Sequence, residues 1–117
     1  MQEGHRQHKA FETTFRQYSS AILARDYATA YSLGDQAFRD AVPEQDFKAE
    51  QQALETKLGA LDSSSTESLD IEGNGDPMEW TARVREVRNY RNGKFHTLYE
   101  FRFENGRWQL FGFKQDD

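Results

Sequence analysis

Three side chains in the C-terminal half of the chain have the types that acid–base chemistry uses: Glu86, Arg88 and Tyr99. A carboxylate shielded from water has its charged form disfavoured, which lifts its pKa toward that of a base able to take a proton beside a carbonyl. Glu86 and Tyr99 are therefore the candidate catalytic pair. The competing reading is that Glu86 is solvated, or neutralised by Arg88, and does no chemistry. A second set, Tyr18, Tyr27, Tyr31 and Trp80 with Arg88, combines apolar bodies with polar tips and suits a small apolar ligand, although aromatics at helical spacing also serve as plain core.

Other chemistries lack their residues. His5 and His8 share a helix face but have no carboxylates at metal-site spacing, so no metal is expected. With zero cysteines there is neither a disulfide nor a thiolate nucleophile. Neither a glycine loop for phosphate nor a serine elbow is present, and no cofactor is expected.

The totals bound the rest. In 117 residues only 36% are apolar, below the roughly 45–50% usual for globular chains. Nine Phe, five Tyr and two Trp must therefore supply most of the core area. A net charge of -5, from 15 basic and 20 acidic residues well mixed, argues against a nucleic-acid or anionic-membrane partner. No apolar run approaches the roughly 20 residues that span a bilayer, so no membrane insertion is expected. Met1-Gln2-Glu3-Gly4 has no apolar signal core, which fits a cytoplasmic protein, or an exported or periplasmic one whose signal segment has been removed.

The elements that must position Glu86 and Tyr99 form a meander. Three strands, Glu79–Tyr90, Lys94–Glu104 and Arg107–Lys114, are separated by Asn92-Gly93 and Asn105-Gly106, which favour two-residue type I′ turns with positive φ at both positions. The first turn would pair Tyr90 with Phe95, Glu86 with Tyr99, Val84 with Phe101 and Ala82 with Phe103. The second would pair Phe103 with Trp108, Phe101 with Leu110 and Tyr99 with Gly112. This places Ala82, Val84, Phe101, Phe103, Trp108 and Leu110 at a packed end of the inner face, and Glu86, Arg88 and Tyr99 at a more open end.

Ahead of the meander, Phe11, Phe15, Tyr18 and Ile22 recur at helical spacing and predict a helix from about His8 to Ala24, with residues 1–8 a flexible tail. Asp26 caps a short helix, Tyr27 to Leu33, closed by Gly34; Ala37, Phe38 and Val42 form a loose connection; Pro43 opens a third helix, ended by Gly59 and held to the core by Phe47, Leu54, Leu58 and Leu61 with Gln51 inside the stripe. After a polar break at Asp62-Ser63-Ser64-Ser65, Leu69 and Ile71 alternate with polar residues as a further strand, followed by a loop from Glu72 to Met78. The expected fold is one α+β domain over 1–117, with three N-terminal helices packed on a curved four-stranded antiparallel sheet.

Asp26-Tyr27-Ala28-Thr29-Ala30-Tyr31, Ala37-Phe38-Arg39, Phe47, Leu58-Gly59-Ala60 and Asn105-Gly106-Arg107-Trp108-Gln109-Leu110-Phe111-Gly112 together resemble a small bacterial domain of unknown function among the nuclear-transport-factor-two-like, cone-shaped α+β proteins. The resemblance covers about residues 10–115 and implies a cone-shaped scaffold, often exported and often dimeric through its sheet. Relatives within the broad fold include isomerases, dehydratases and hydrolases, but no complete catalytic motif of theirs occurs here.

The functional expectation is a non-catalytic binding or accessory domain, with a small pocket enzyme of isomerase or hydrolase type as the alternative. The same register sets Arg85, Val87, Leu98, Glu100, Phe111 and Phe113 on the outer face of the sheet, an apolar centre with a charged rim that predicts a homodimer. It also sets Arg83 directly opposite Arg102.

Overall fold

The computed structural model describes residues 2–116. Helix α1 spans Gln2–Leu23 and buries Phe11, Phe15, Tyr18 and Ile22 along one face, as their spacing requires. It starts well before His8. Gln7 is 5% exposed, and its Oε1 accepts a 3.0 Å hydrogen bond from Trp108 Nε1. This bond anchors Gln7, near the end of the segment expected to be a flexible tail; Met1 lies outside the described residues.

Asp26 caps α2, Tyr27–Ser32, by accepting from the Thr29 backbone N–H and hydroxyl. Gly34 does not supply a left-handed close. Leu33 caps the helix, while Leu110 N–H donates to Leu33 O and Asp35 N–H to Leu110 O, pairing this linker with the last strand. A Cβ on Gly34 would stand 2.5 Å from the Phe38 ring, so close packing rather than φ selects glycine there. The expected loose connection is a fourth helix, α3, Gln36–Ala41: the Asp35 carboxylate accepts from Phe38 N–H at 2.7 Å and the Phe38 ring is buried. Pro43 is the N-cap of α4, Glu44–Leu58, whose buried residues are Phe47 and Gln51. Gly59 ends it with φ 86°.

Strands β1 (Leu61–Asn74), β2 (Glu79–Tyr90), β3 (Gly93–Glu104) and β4 (Arg107–Gln115) form one antiparallel sheet in the order β1-β2-β3-β4. The serine stretch is strand, not a break: Ser63, Ser64 and Ser65 pair with Asn89, Arg88 and Val87, flanked by register irregularities. The long β2 edge offers backbone partners whatever the side chains opposite. Pairing also persists to Asn74, shortening the expected loop.

The two hairpins differ. At Asn105-Gly106 both residues have positive φ, 54° and 79°, and Phe103 pairs with Trp108 and Phe101 with Leu110 as expected. The other hairpin turns on Arg91 and Asn92 instead, without positive φ, and Tyr90 pairs with Gly93. Tertiary hydrogen bonds decide this: Arg91 N–H donates to Ala60 O and Asn92 N–H to Leu58 O, docking the turn on the α4–β1 connection. The register is thereby two residues off the expected one. Val84 meets Tyr99, Ala82 meets Phe101 and Glu86 meets Thr97. A two-residue slip preserves parity, so every β2 and β3 side chain keeps its expected face.

One residue of β4 breaks that parity. Between Leu110, opposite Phe101, and Gly112, opposite Glu100, Phe111 is an extra, unpaired residue. Beyond this bulge Phe113 faces Tyr99 and joins the core, with ring centroids 6.0 Å from Phe38 and 5.7 Å from Tyr99. The expectation that Phe113 lies on the outer face is corrected. The core is a continuous aromatic layer: Phe11 packs edge-on against Phe101 and Trp108, and Phe15 and Tyr18 against Tyr99.

Candidate functional site

Glu86 and Arg88 follow Ala82 and Val84 on the buried face of β2, and both side chains are 3% exposed. The open end expected at this position is closed, because α1 and α4 reach over it with Ser19 and Gln51. Glu86 Oε1 accepts from Arg88 Nε at 3.1 Å and from the Tyr99 hydroxyl at 2.8 Å, while Oε2 accepts from Ser19 Oγ at 3.2 Å. Arg88 Nη1 donates to Gln51 Oε1 and to the Tyr90 hydroxyl, and Nη2 donates to Tyr99. Two buried charges are thus neutralised and hydrogen-bonded together, the condition under which burial is tolerable.

This network also polarises its neighbours. Burial opposes the Arg88 charge, but the surrounding Tyr99, Tyr18 and Glu86 outweigh it and hold the guanidinium well above its usual pKa. Burial pushes the Tyr18 phenol up to about 12, and Tyr99 is raised well above the ordinary phenol range by burial and by Tyr18. The Tyr18 hydroxyl sits beside Tyr99 and Arg88 but makes no well-aligned hydrogen bond among the described residues.

Two grooves reach the network from opposite ends of the ion pair. One, about 320 Å³, runs between α1 and the β1–β2 face over Phe15, Leu69 and Val84 and touches Glu86 and Ser19. The other, about 480 Å³, lies between α4 and the β3–β4 end of the sheet and is lined by Gln51, Leu54, Arg88, Phe95, Thr97 and Phe113. Thr97 is 2% exposed, and its Oγ1 has no hydrogen-bond partner. Among the described residues no cluster of His, Cys, Asp and Glu could hold a metal ion.

Of the residues singled out in the sequence, the fold gathers Glu86, Arg88, Tyr99 and Tyr18. It does not gather the others. Tyr27 donates to Glu55, Tyr31 donates to the Arg39 and Val42 carbonyls, and both are core. Trp80 lies near the start of β2 against Gly73 and lines a separate surface cleft with Phe103. Sequence reasoning missed Ser19, Tyr90 and Thr97. Gln51 carried a signal, as a polar residue inside the apolar stripe of α4.

On the outer face Glu100 bonds Arg83 and Arg102, and Arg83 stands opposite Glu100 rather than Arg102. Arg85 pairs with Asp116 at 3.3 Å. The Arg102 guanidinium lies 3.4 Å from the Phe111 ring centre, and Val87 and Leu98 are half-buried.

The chain matches no protein-family model and no curated protein. No helix among the described residues is long and apolar enough to cross a membrane.

Proposed function

We propose that the chain is a non-catalytic binding domain on a cone-shaped, nuclear-transport-factor-two-like scaffold, and that its ligand enters the groove between α4 and the β3–β4 end. The observation that carries the reading is Thr97, a buried residue beside that groove whose hydroxyl has no hydrogen-bond partner among the described residues. Buried polar groups are nearly always hydrogen-bonded, and an orphan beside a groove is accounted for when a ligand completes it. Long twisting strands and the β4 bulge support the cone.

The alternative, an isomerase- or hydrolase-type enzyme, would use Glu86 from the α1–β1 groove that touches it. A carboxylate already held by Arg88, Tyr99 and Ser19 has little capacity left to accept a substrate proton. NMR shift mapping with a fragment library separates the two readings. Binding fragments should move the amides of Gln51, Leu54 and Thr97; shifts confined to Ser19, Leu69 and Glu86 would favour the enzyme.

Self-association through the outer face belongs to the same proposal, now supported by Val87, Leu98 and Phe111 with alternating charges around them. Sedimentation equilibrium is its test: a dimer split by Leu98→Lys supports it, and a monomeric parent chain overturns it.

A further inference from the structure

Resting on the reading of the α4–β3/β4 groove as a ligand site, we infer that its ligand is a small organic carboxylate with an apolar body. The hydrogen-bond inventory of the groove is weighted to donors. A guanidinium carries five N–H groups. In Arg88, Nε serves Glu86, Nη1 serves Gln51 and Tyr90, and Nη2 serves Tyr99, so four of the five are spent inside the network and Arg88 offers the groove its charge. Gln51 spends its oxygen on Arg88, so its amide nitrogen is left to donate. Thr97 adds a buried hydroxyl that can donate as well as accept.

The charges point the same way. Among the described residues Lys57 and Lys114 line the groove with a single acid, Glu50, while the charge of Arg88 is balanced behind it by Glu86. The groove is thus locally cationic in a chain of net charge -5. Leu54, Phe95 and Phe113 supply apolar wall that an inorganic anion would leave unused. A carboxylate can take one oxygen to Thr97 and the other to the Gln51 amide, its body against those rings.

Titration of the full chain with benzoate, benzyl alcohol and inorganic phosphate, followed by amide shifts and calorimetry, tests this. Benzoate should bind saturably at Thr97 and Leu54, at least about tenfold more tightly than either control, the difference expected when a charge-assisted hydrogen bond is lost. Thr97→Val should weaken benzoate by about the same factor without lowering the melting temperature, since the hydroxyl it removes has no structural partner, and Thr97→Ser should restore binding. Benzyl alcohol binding as well as benzoate would overturn the carboxylate assignment and leave the groove a ligand site. Phosphate binding equally well would overturn the apolar body. Benzoate binding unaltered by Thr97→Val would overturn the role of that hydroxyl, and no shift at the groove with any probe would overturn both this inference and the site itself.

Discussion

Glu86 and Arg88 stand two residues apart on one face of β2 and close a 3.1 Å ion pair between side chains that are each 3% exposed. Such a pair persists because Tyr99, Tyr90, Gln51 and Ser19 occupy most of its remaining donors and acceptors. Breaking it leaves a charge without water or partner.

Arg88→Met should therefore cost about 3–5 kcal/mol in urea unfolding, the range seen when one member of a buried pair is removed. The double variant Glu86→Gln/Arg88→Met should recover part of that loss. Strictly additive single and double effects would show that the two charges do not depend on each other.

Alkaline stability should report the buried phenols. Tyr18 titrates near about 10 when unfolded and at about 12 in the fold, so the native state holds the proton more tightly. That contribution is fully present below the unfolded value and is lost as pH rises through the folded one. Spectrophotometric titration should show Tyr18 and Tyr99 silent until the circular dichroism collapses, and Tyr18→Phe should move alkaline unfolding to higher pH. Tyr18 and Tyr99 ionising in an intact fold would contradict their burial.

Glu104 gives the acidic counterpart. Partial burial, and then the neighbouring Asp35, raise its carboxyl above the usual range, against the pull of Arg102. A raised folded value means stability held at low pH and lost as pH rises through it. Glu104→Gln should thus unfold at a higher temperature than the parent chain at neutral pH, with the two converging as pH falls below the carboxylate range. A constant offset across that range would assign the effect to something other than charge.

The bulge in β4 is tested by two phenylalanines separated by one residue. Phe113→Ala removes a ring packed between Phe38, Phe47 and Tyr99 and should cost about 2–4 kcal/mol. Phe111→Ala removes only a ring beneath Arg102 and should cost about 1 kcal/mol. The opposite order of urea midpoints would return Phe113 to the outer face.

These residues also show what was legible. The α1 stripe, the α+β order and the faces of β2 and β3 follow from periodicity, and parity protected the faces even where the first turn formed on Arg91 and Asn92. The turn itself was not readable, because the acceptors that move it, Leu58 O and Ala60 O, lie on the far side of β1 in sequence. The bulge left a faint trace: Leu110 and Phe111 are adjacent apolars followed by Gly112, where strict alternation would place a polar residue. For the site, Glu86, Arg88 and Tyr99 were found by residue type and face, but their closure was not, since it depends on Ser19 and Gln51 arriving from helices.

The bond from Trp108 to Gln7 joins positions 101 apart, and the α1 rings rest on Tyr99, Phe101 and Trp108. On a ribosome, α1 emerges before these strands, and its partners come almost a hundred residues later. At about 5–20 residues per second the helix waits for seconds with its aromatic stripe uncovered. The core can close only after β3 and β4 have emerged, and until then the stripe of α1 is apolar surface that a chaperone can hold.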